Sequence, residues 1–166
     1  MPLTLILTRH AKSAWDDPSL DDFERPLNGR GRSAALKIGQ WLISEGHLPD
    51  TVLVSGARRT VETWGRMSEI MPATATMVSE PALYLATSDI ILNVLRARKS
   101  PVIMLIAHNP GIADFAERIL AEPPRHEKFL KYPTGATAII EFKASSWLEI
   151  GWGEGQLVDF AVPREL

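Results

Sequence analysis

Two histidines and a small set of arginines stand where three apolar runs end. Residues 3–8 run into Arg9 and His10, residues 51–54 into Ser55, Gly56, Ala57, Arg58 and Arg59, and residues 101–107 into His108, Asn109, Pro110 and Gly111. An imidazole that is neutral near pH 7 offers a nucleophilic nitrogen. Guanidinium groups stay charged and present planar forks that match phosphoryl oxygens. Together these are residue types that a phosphoryl group could use. They meet only if the three runs are parallel strands, because the carboxyl ends of such strands converge on one ligand-binding crevice.

The patterning predicts that arrangement. After a strand at 3–8, a polar loop from Ala11 to Pro26 carries Asp16, Asp17, Asp21, Asp22 and Glu24 and is expected to be solvated. Asn28 then caps a helix whose apolar residues Ala34, Ala35, Ile38, Trp41 and Leu42 recur at helical spacing, with Gly46 as terminator. A strand at 51–54, a helix at 58–71 stopped by Pro72, and a β-branched strand at 74–78 follow. Thr87 or Ser88 caps a helix bearing Ile90, Ile91, Val94 and Leu95, ahead of a strand at 101–107 and a helix at 111–121 that Pro123 and Pro124 close. Residues 136–142, 147–152 and 156–162 alternate apolar and polar, the pattern of antiparallel strands. The expectation is a three-layer α/β fold with a mostly parallel sheet, helices on both faces and antiparallel edge strands from the C-terminal tail, built as one domain over residues 1–166.

Bulk properties narrow the partners. With 166 residues, 45% of them hydrophobic, the chain can bury one sizeable core. A formal charge of −2 provides no global field for nucleic acid or an anionic membrane, so any anion site must be local. Cysteine is absent, which removes disulfides, thiolate metal sites and a cysteine nucleophile. The apolar start is too short for a signal peptide or a membrane span, and a cytoplasmic protein is expected. Of the four histidines, His47 beside Gly46 and His126 in a charged loop read as surface residues.

Competing motifs fail on context. Gly29-Arg30-Gly31-Arg32-Ser33-Ala34 fits a loose dinucleotide fingerprint, yet no strand precedes it. The acidic cluster lacks calcium-loop spacing and the histidines lack a close metal-binding pair, so no metal or cofactor is expected. Trp15, Trp41, Trp64, Trp147 and Trp152 are scattered and read mostly as packing residues.

The motif residues resemble a family. Thr8-Arg9-His10-Ala11-Lys12-Ser13 resembles the Arg-His-Gly signature of the histidine phosphatase (phosphoglycerate-mutase-like) superfamily, residues 55–63 resemble its second motif, and residues 106–111 its third. The SixA-like phosphohistidine phosphatase branch is the most similar, also through Arg25-Pro26-Leu27 and Tyr132-Pro133-Thr134-Gly135, and the likeness spans nearly the whole chain. The resemblance implies a metal-independent phosphatase with His10 as nucleophile, Arg9 and Arg59 on the phosphoryl oxygens and His108 donating to one of them. Arg58, beside Arg59, could also reach an anion, although helix geometry turns the two about 100° apart. Ser13 and Asp16 align with phosphate-binding positions, but an anionic Asp16 would repel phosphate. Glu80 is the one acid after the third strand and the candidate general acid, or else an exposed turn residue. The implied substrate is phosphohistidine on a protein; a small phosphorylated metabolite, handled by a phosphomonoesterase or phosphomutase, or a non-catalytic phosphate-binding module are the alternatives.

Overall fold

The computed structural model describes residues 2–166. In chain order the elements are β1 (Leu3–Arg9), α1 (Gly29–Ser44), β2 (Thr51–Val54), α2 (Arg58–Ser68), β3 (Thr76–Ser79), α3 (Ser88–Arg96), β4 (Val102–Ala107), α4 (Gly111–Ile119), β5 (Thr137–Phe142) and β6 (Gln156–Ala161), with short 3-10 turns between some of them. The strands form one sheet in the order β3-β2-β4-β1-β5-β6. Its first four members are parallel, while β5 and β6 add on antiparallel, giving the mixed α/β architecture expected. No helix of the described residues is long and apolar enough to cross a membrane.

Register brings the motifs level. Arg9 pairs with Ala107 and Val54 with Ile106, so His10, His108 and Ser55 leave three adjacent strands within one residue step of each other. Strand side chains alternate between faces. Leu5 and Leu7 of β1 pack with Ile91 and Leu95 of α3 and Phe115 of α4, whereas Ile6 between them packs with Ile38 and Leu42 of α1 and Met67 of α2. That double coverage explains why β1 and β4 read as almost unbroken apolar runs.

Two helix ends and one tail segment differ from the pattern, and β3 starts at Thr76 rather than 74. The second helix ends at Ser68 rather than 71, and α4 at Ile119 rather than 121. At α4 the cause is capture by the tail: Leu120 turns extended and bridges Gly155, whose carbonyl accepts from the Ala121 N–H at 2.8 Å. Residues 147–152 form no strand. Trp147–Glu149 is a 3-10 turn, which buries Trp147 and Ile150 at a spacing of three and leaves Leu148 exposed. The Trp147 indole N–H donates to the Ser100 carbonyl at 2.6 Å, so a buried anchor replaces strand pairing there.

Candidate active site

Each motif is held by backbone before its side chain acts. The His10 N–H donates to the Ala107 carbonyl at 3.1 Å, continuing the β1–β4 ladder one residue past the strand. The next N–H, of Ala11, donates to Thr63 Oγ1 of α2 at 3.0 Å. On the other side α1 starts against the same loop: a Cβ on Gly31 would lie 2.0 Å from the Lys12 carbonyl oxygen. Only glycine permits that approach, which accounts for Gly31 by packing alone. Tyr132 sits at φ +46°, a conformation costing a non-glycine residue about 1–3 kcal/mol. Its hydroxyl donates to the Leu7 carbonyl at 2.5 Å, and its own carbonyl accepts from Arg9 Nη1 at 3.2 Å.

The result is a cavity of about 330 Å³ whose lining includes Arg9, His10, Ser13, Arg59, His108 and Asn109. The two imidazoles lie 5.3 Å apart, centroid to centroid, and tilted by 51°. His10 Nδ1 donates to the Ala11 carbonyl at 2.7 Å; because a carbonyl can only accept, the ring hydrogen sits on Nδ1 and Nε2 keeps a free lone pair. His108 Nε2 lies 2.7 Å from Ser55 Oγ, which is itself 3.0 Å from Thr60 Oγ1. Buried polar atoms without partners gather here: Arg9 Nε, Arg59 Nε, Arg25 Nη1, His108 Nδ1 and Asn109 Oδ1. Unsatisfied groups at this density mark a place built for a polar ligand.

Burial pushes His10 down to about 4, and the Arg9, Arg59 and Arg25 charges act in the same sense, against the hydrogen bond to Ala11. His108 is pushed down to about 3, by burial first and then by His10 and Arg59. Both rings are therefore neutral at pH 7. Burial also lowers Arg9, with Arg59 adding to it.

Of the candidate residues, Arg9, His10, Ser13, Arg59 and His108 share the cavity. Arg58 points elsewhere, its Nε bonding Glu62 at 2.8 Å across one turn of α2. Asp16 is exposed. Glu80 is not among the residues lining the cavity, and its carboxylate is engaged by Arg98, which follows α3. The acidic loop is not wholly solvated either. Asp22 accepts from Arg59 Nη2 at 3.0 Å through its carboxylate and from Nη1 at 2.7 Å through its carbonyl, pairs with Arg25 Nε at 3.3 Å and takes the Tyr84 hydroxyl. Burial alone would raise the Asp22 carboxyl, but the Tyr84 and Arg59 hydrogen bonds and both arginine charges hold it below its ordinary value. The exposed Trp15 ring has the Arg25 guanidinium carbon over it, 3.3 Å from the ring centroid. Asp22, Tyr84, Arg25 and Trp15 were not marked as site residues by the sequence; only the Arg25-Pro26-Leu27 likeness touched this group. Among the described residues no cluster of three or more His, Cys, Asp or Glu is gathered around a metal position.

No protein-family profile matches the chain. An uncharacterised chloroplastic protein of Arabidopsis thaliana is 33% identical over 156 residues, covering 87% of this chain and 69% of that protein. A protein assigned as phosphohistidine phosphatase SixA from Agrobacterium tumefaciens superposes with a TM-score of 0.80 and 26% identity over 98% of this chain and 99% of its own. A second, from Nakamurella multipartitia, gives 0.83 and 25% over 98% and 97%. With the three strand-end motifs level at one crevice and these likenesses over nearly its full length, the chain belongs to the histidine phosphatase superfamily, in its SixA-like branch.

Proposed function

We propose that this protein is a phosphatase that takes the phosphoryl group onto His10 and that it hydrolyses phosphohistidine on a protein. The observation that carries the proposal is the Nδ1–H bond from His10 to the Ala11 carbonyl, which leaves Nε2 as a neutral nucleophile among the cations of the cavity. Arg9 and Arg59 hold the phosphoryl oxygens. His108 Nδ1 has no partner within the protein, and with the ring hydrogen on it, Nε2 accepting from the Ser55 hydroxyl, it donates to a third oxygen. Each charge-assisted bond contributes about 1.5–3 kcal/mol, so this set stabilises the transferring group without a metal. His10 Nε2 forms the new N–P bond as the substrate's bond to phosphorus breaks, and water then cleaves phospho-His10 to free enzyme and phosphate.

Leaving-group chemistry favours phosphohistidine over alkyl phosphates. An alkoxide needs a proton donor, but the carboxylate at the cavity, Asp22, is held ionised, and Glu80 is turned to Arg98. Solvent can protonate the far nitrogen of a phosphohistidine ring, which then departs as neutral imidazole. The names carried by the similar structures agree with this substrate.

Brief reaction with phosphorus-labelled substrate and an alkaline quench should leave an acid-labile label on the wild type and none on His10→Ala. A label that survives His10→Ala refutes the nucleophile. Turnover of phosphohistidine should exceed that of any alkyl phosphate in kcat/KM and persist in EDTA; equal efficiency on a sugar phosphate would move the substrate to a small metabolite.

A further inference from the structure

Beside the cavity a larger groove of about 950 Å³ opens between α1, residues 127–134 and the C-terminal residues 162–164, and it shares Lys12 and Thr134 with the cavity. Six cations line it, Lys12, Arg30, Lys37, Lys128, Lys131 and Arg164, against one carboxylate, Glu127. Among the described residues none of the six takes part in an ion pair, although the chain as a whole is net negative at −2. Unpaired like charges repel one another, so the fold gains nothing from collecting them; a concave surface of one sign, however, concentrates and steers anions.

The form of the groove indicates the anion. Arg30 and Lys37 lie on one stripe of α1, two turns or about 10 Å apart along its axis. One phosphate cannot reach both, whereas an extended chain at about 3.3 Å per residue covers that length in three to four residues. Lysine supplies four of the six cations, and an ammonium on a flexible stem is a point charge that imposes no fixed bidentate geometry. The cavity itself uses arginine forks. Ala34, Pro133, Val162 and Pro163 give the groove an apolar lining suited to aliphatic stems.

We infer that this groove receives an acidic stretch of the phosphorylated partner protein, next to the phosphohistidine that enters the cavity. The inference rests on the phosphohistidine reading above and names the partner's surface. Its test uses synthetic peptides of equal length carrying phosphohistidine flanked on one side, or on the other, by about four glutamates, glutamines or lysines, matched to the groove's length. At about 0.05 M salt the better-placed glutamate peptide should show a kcat/KM at least tenfold above its glutamine counterpart, mainly through KM, and most of that gain should vanish near 0.5 M salt. The triple variant Arg30→Glu, Lys37→Glu, Arg164→Glu should lose the gain and favour the lysine peptide, while its turnover of a small aryl phosphate, which also reports folding, stays unchanged. If that turnover collapses, Lys37→Glu alone should still cut the glutamate preference. Glutamate and glutamine peptides cleaved alike by the wild type would overturn the groove's role and leave the phosphohistidine reading intact. Aryl phosphate cleaved but no peptide cleaved would overturn that reading instead. A charge-reversal loss seen only with small bisphosphates would make the occupant a small polyanion and overturn the inference.

Discussion

Two neighbouring concavities that share Lys12 and Thr134 hold their positive charge in opposite ways. In the smaller one every arginine is tethered: Arg59 to Asp22, Arg25 to Asp22 and Trp15, Arg9 to the Tyr132 carbonyl. In the larger one the cations are unpaired and mostly lysine. Tethering part of a guanidinium gives up some of its charge to the protein and fixes where the remaining N–H groups point. Stabilising a transition state needs that fixed direction, whereas attracting a flexible acidic chain needs only charge of the right sign. The difference separates a place for bond-making from a place for docking.

Removing direction while keeping charge should have the largest effect. Arg59→Lys retains the cation but loses the fork, and kcat with an aryl phosphate should fall by about 10²–10³, the usual loss for one preorganised donor. A fall of less than about threefold would show that charge alone suffices and erase the contrast. Asp22→Asn tests the tether. It removes a negative charge, so inorganic phosphate should inhibit more strongly, yet kcat should fall about tenfold, the equivalent of one charge-assisted bond of ~1.5 kcal/mol. Steady-state rates with phosphate as inhibitor separate the two effects.

The strand-end positions of Arg9, His10, Ser55 and His108 were legible because both contributing signals, apolar runs and the residues after them, are local. Helix geometry set Arg58 and Arg59 apart, and the resemblance of residues 55–63 to the second motif singled out Arg59. Asp22 and Tyr84 were not legible, since Asp22 lies 37 positions from its partner Arg59 and Tyr84 62 positions from its partner Asp22, and nothing in an acidic loop marks which carboxylate folds back. Glu80 shows a related limit: its place after β3 was read correctly, but its pairing with Arg98, 18 positions on, was not legible. The 147–152 segment alternates like a strand, yet buries residues three apart because Trp147 finds an acceptor at Ser100. The groove draws on α1, the 127–134 loop and the chain end, so its charge becomes visible only once they are packed together.

Acid should strain the tethered site next. His10 near 4 and His108 near 3 both lie below the ordinary imidazole value of 6.5. On acidification the unfolded chain binds these protons first. The stability is therefore fully present above about pH 6.5 and declines as pH falls toward 4 and 3, at up to about 1.4 kcal/mol per pH unit for each ring. Urea midpoints should drop between pH 6.5 and 5 in the wild type and drop less in His108→Asn. Identical slopes would mean that His108 titrates normally in the folded chain.

Gly31→Ala places a Cβ within 2.0 Å of the Lys12 carbonyl and must shift either the start of α1 or the loop after His10. We expect a loss of about 1–3 kcal/mol in urea unfolding, typical of overpacking, together with slower turnover because the moved loop carries the Ala11 carbonyl that orients His10. Loss of stability with unchanged kcat would show that the loop yields without disturbing the ring.

The smallest effect belongs to Arg58, and it separates being tethered from being used. Arg58 is tethered too, with Nε 2.8 Å from Glu62, but its side chain is 49% exposed where that of Arg59 is 3%. One step along α2 turns it about 100° away from the cavity. An exposed i,i+4 pair contributes about 0.3–0.5 kcal/mol, so Arg58→Ala should lower the thermal midpoint only slightly and change kcat/KM for an aryl phosphate less than about twofold. Glu62 would keep its second bond, from the Leu27 N–H at 2.9 Å, and with it the connection between α2 and the loop. If Arg58→Ala instead matched Arg59→Lys in its loss, the phosphoryl group would be held by the exposed arginine, and a tether would no longer distinguish the cations that act on phosphorus from those that attract it.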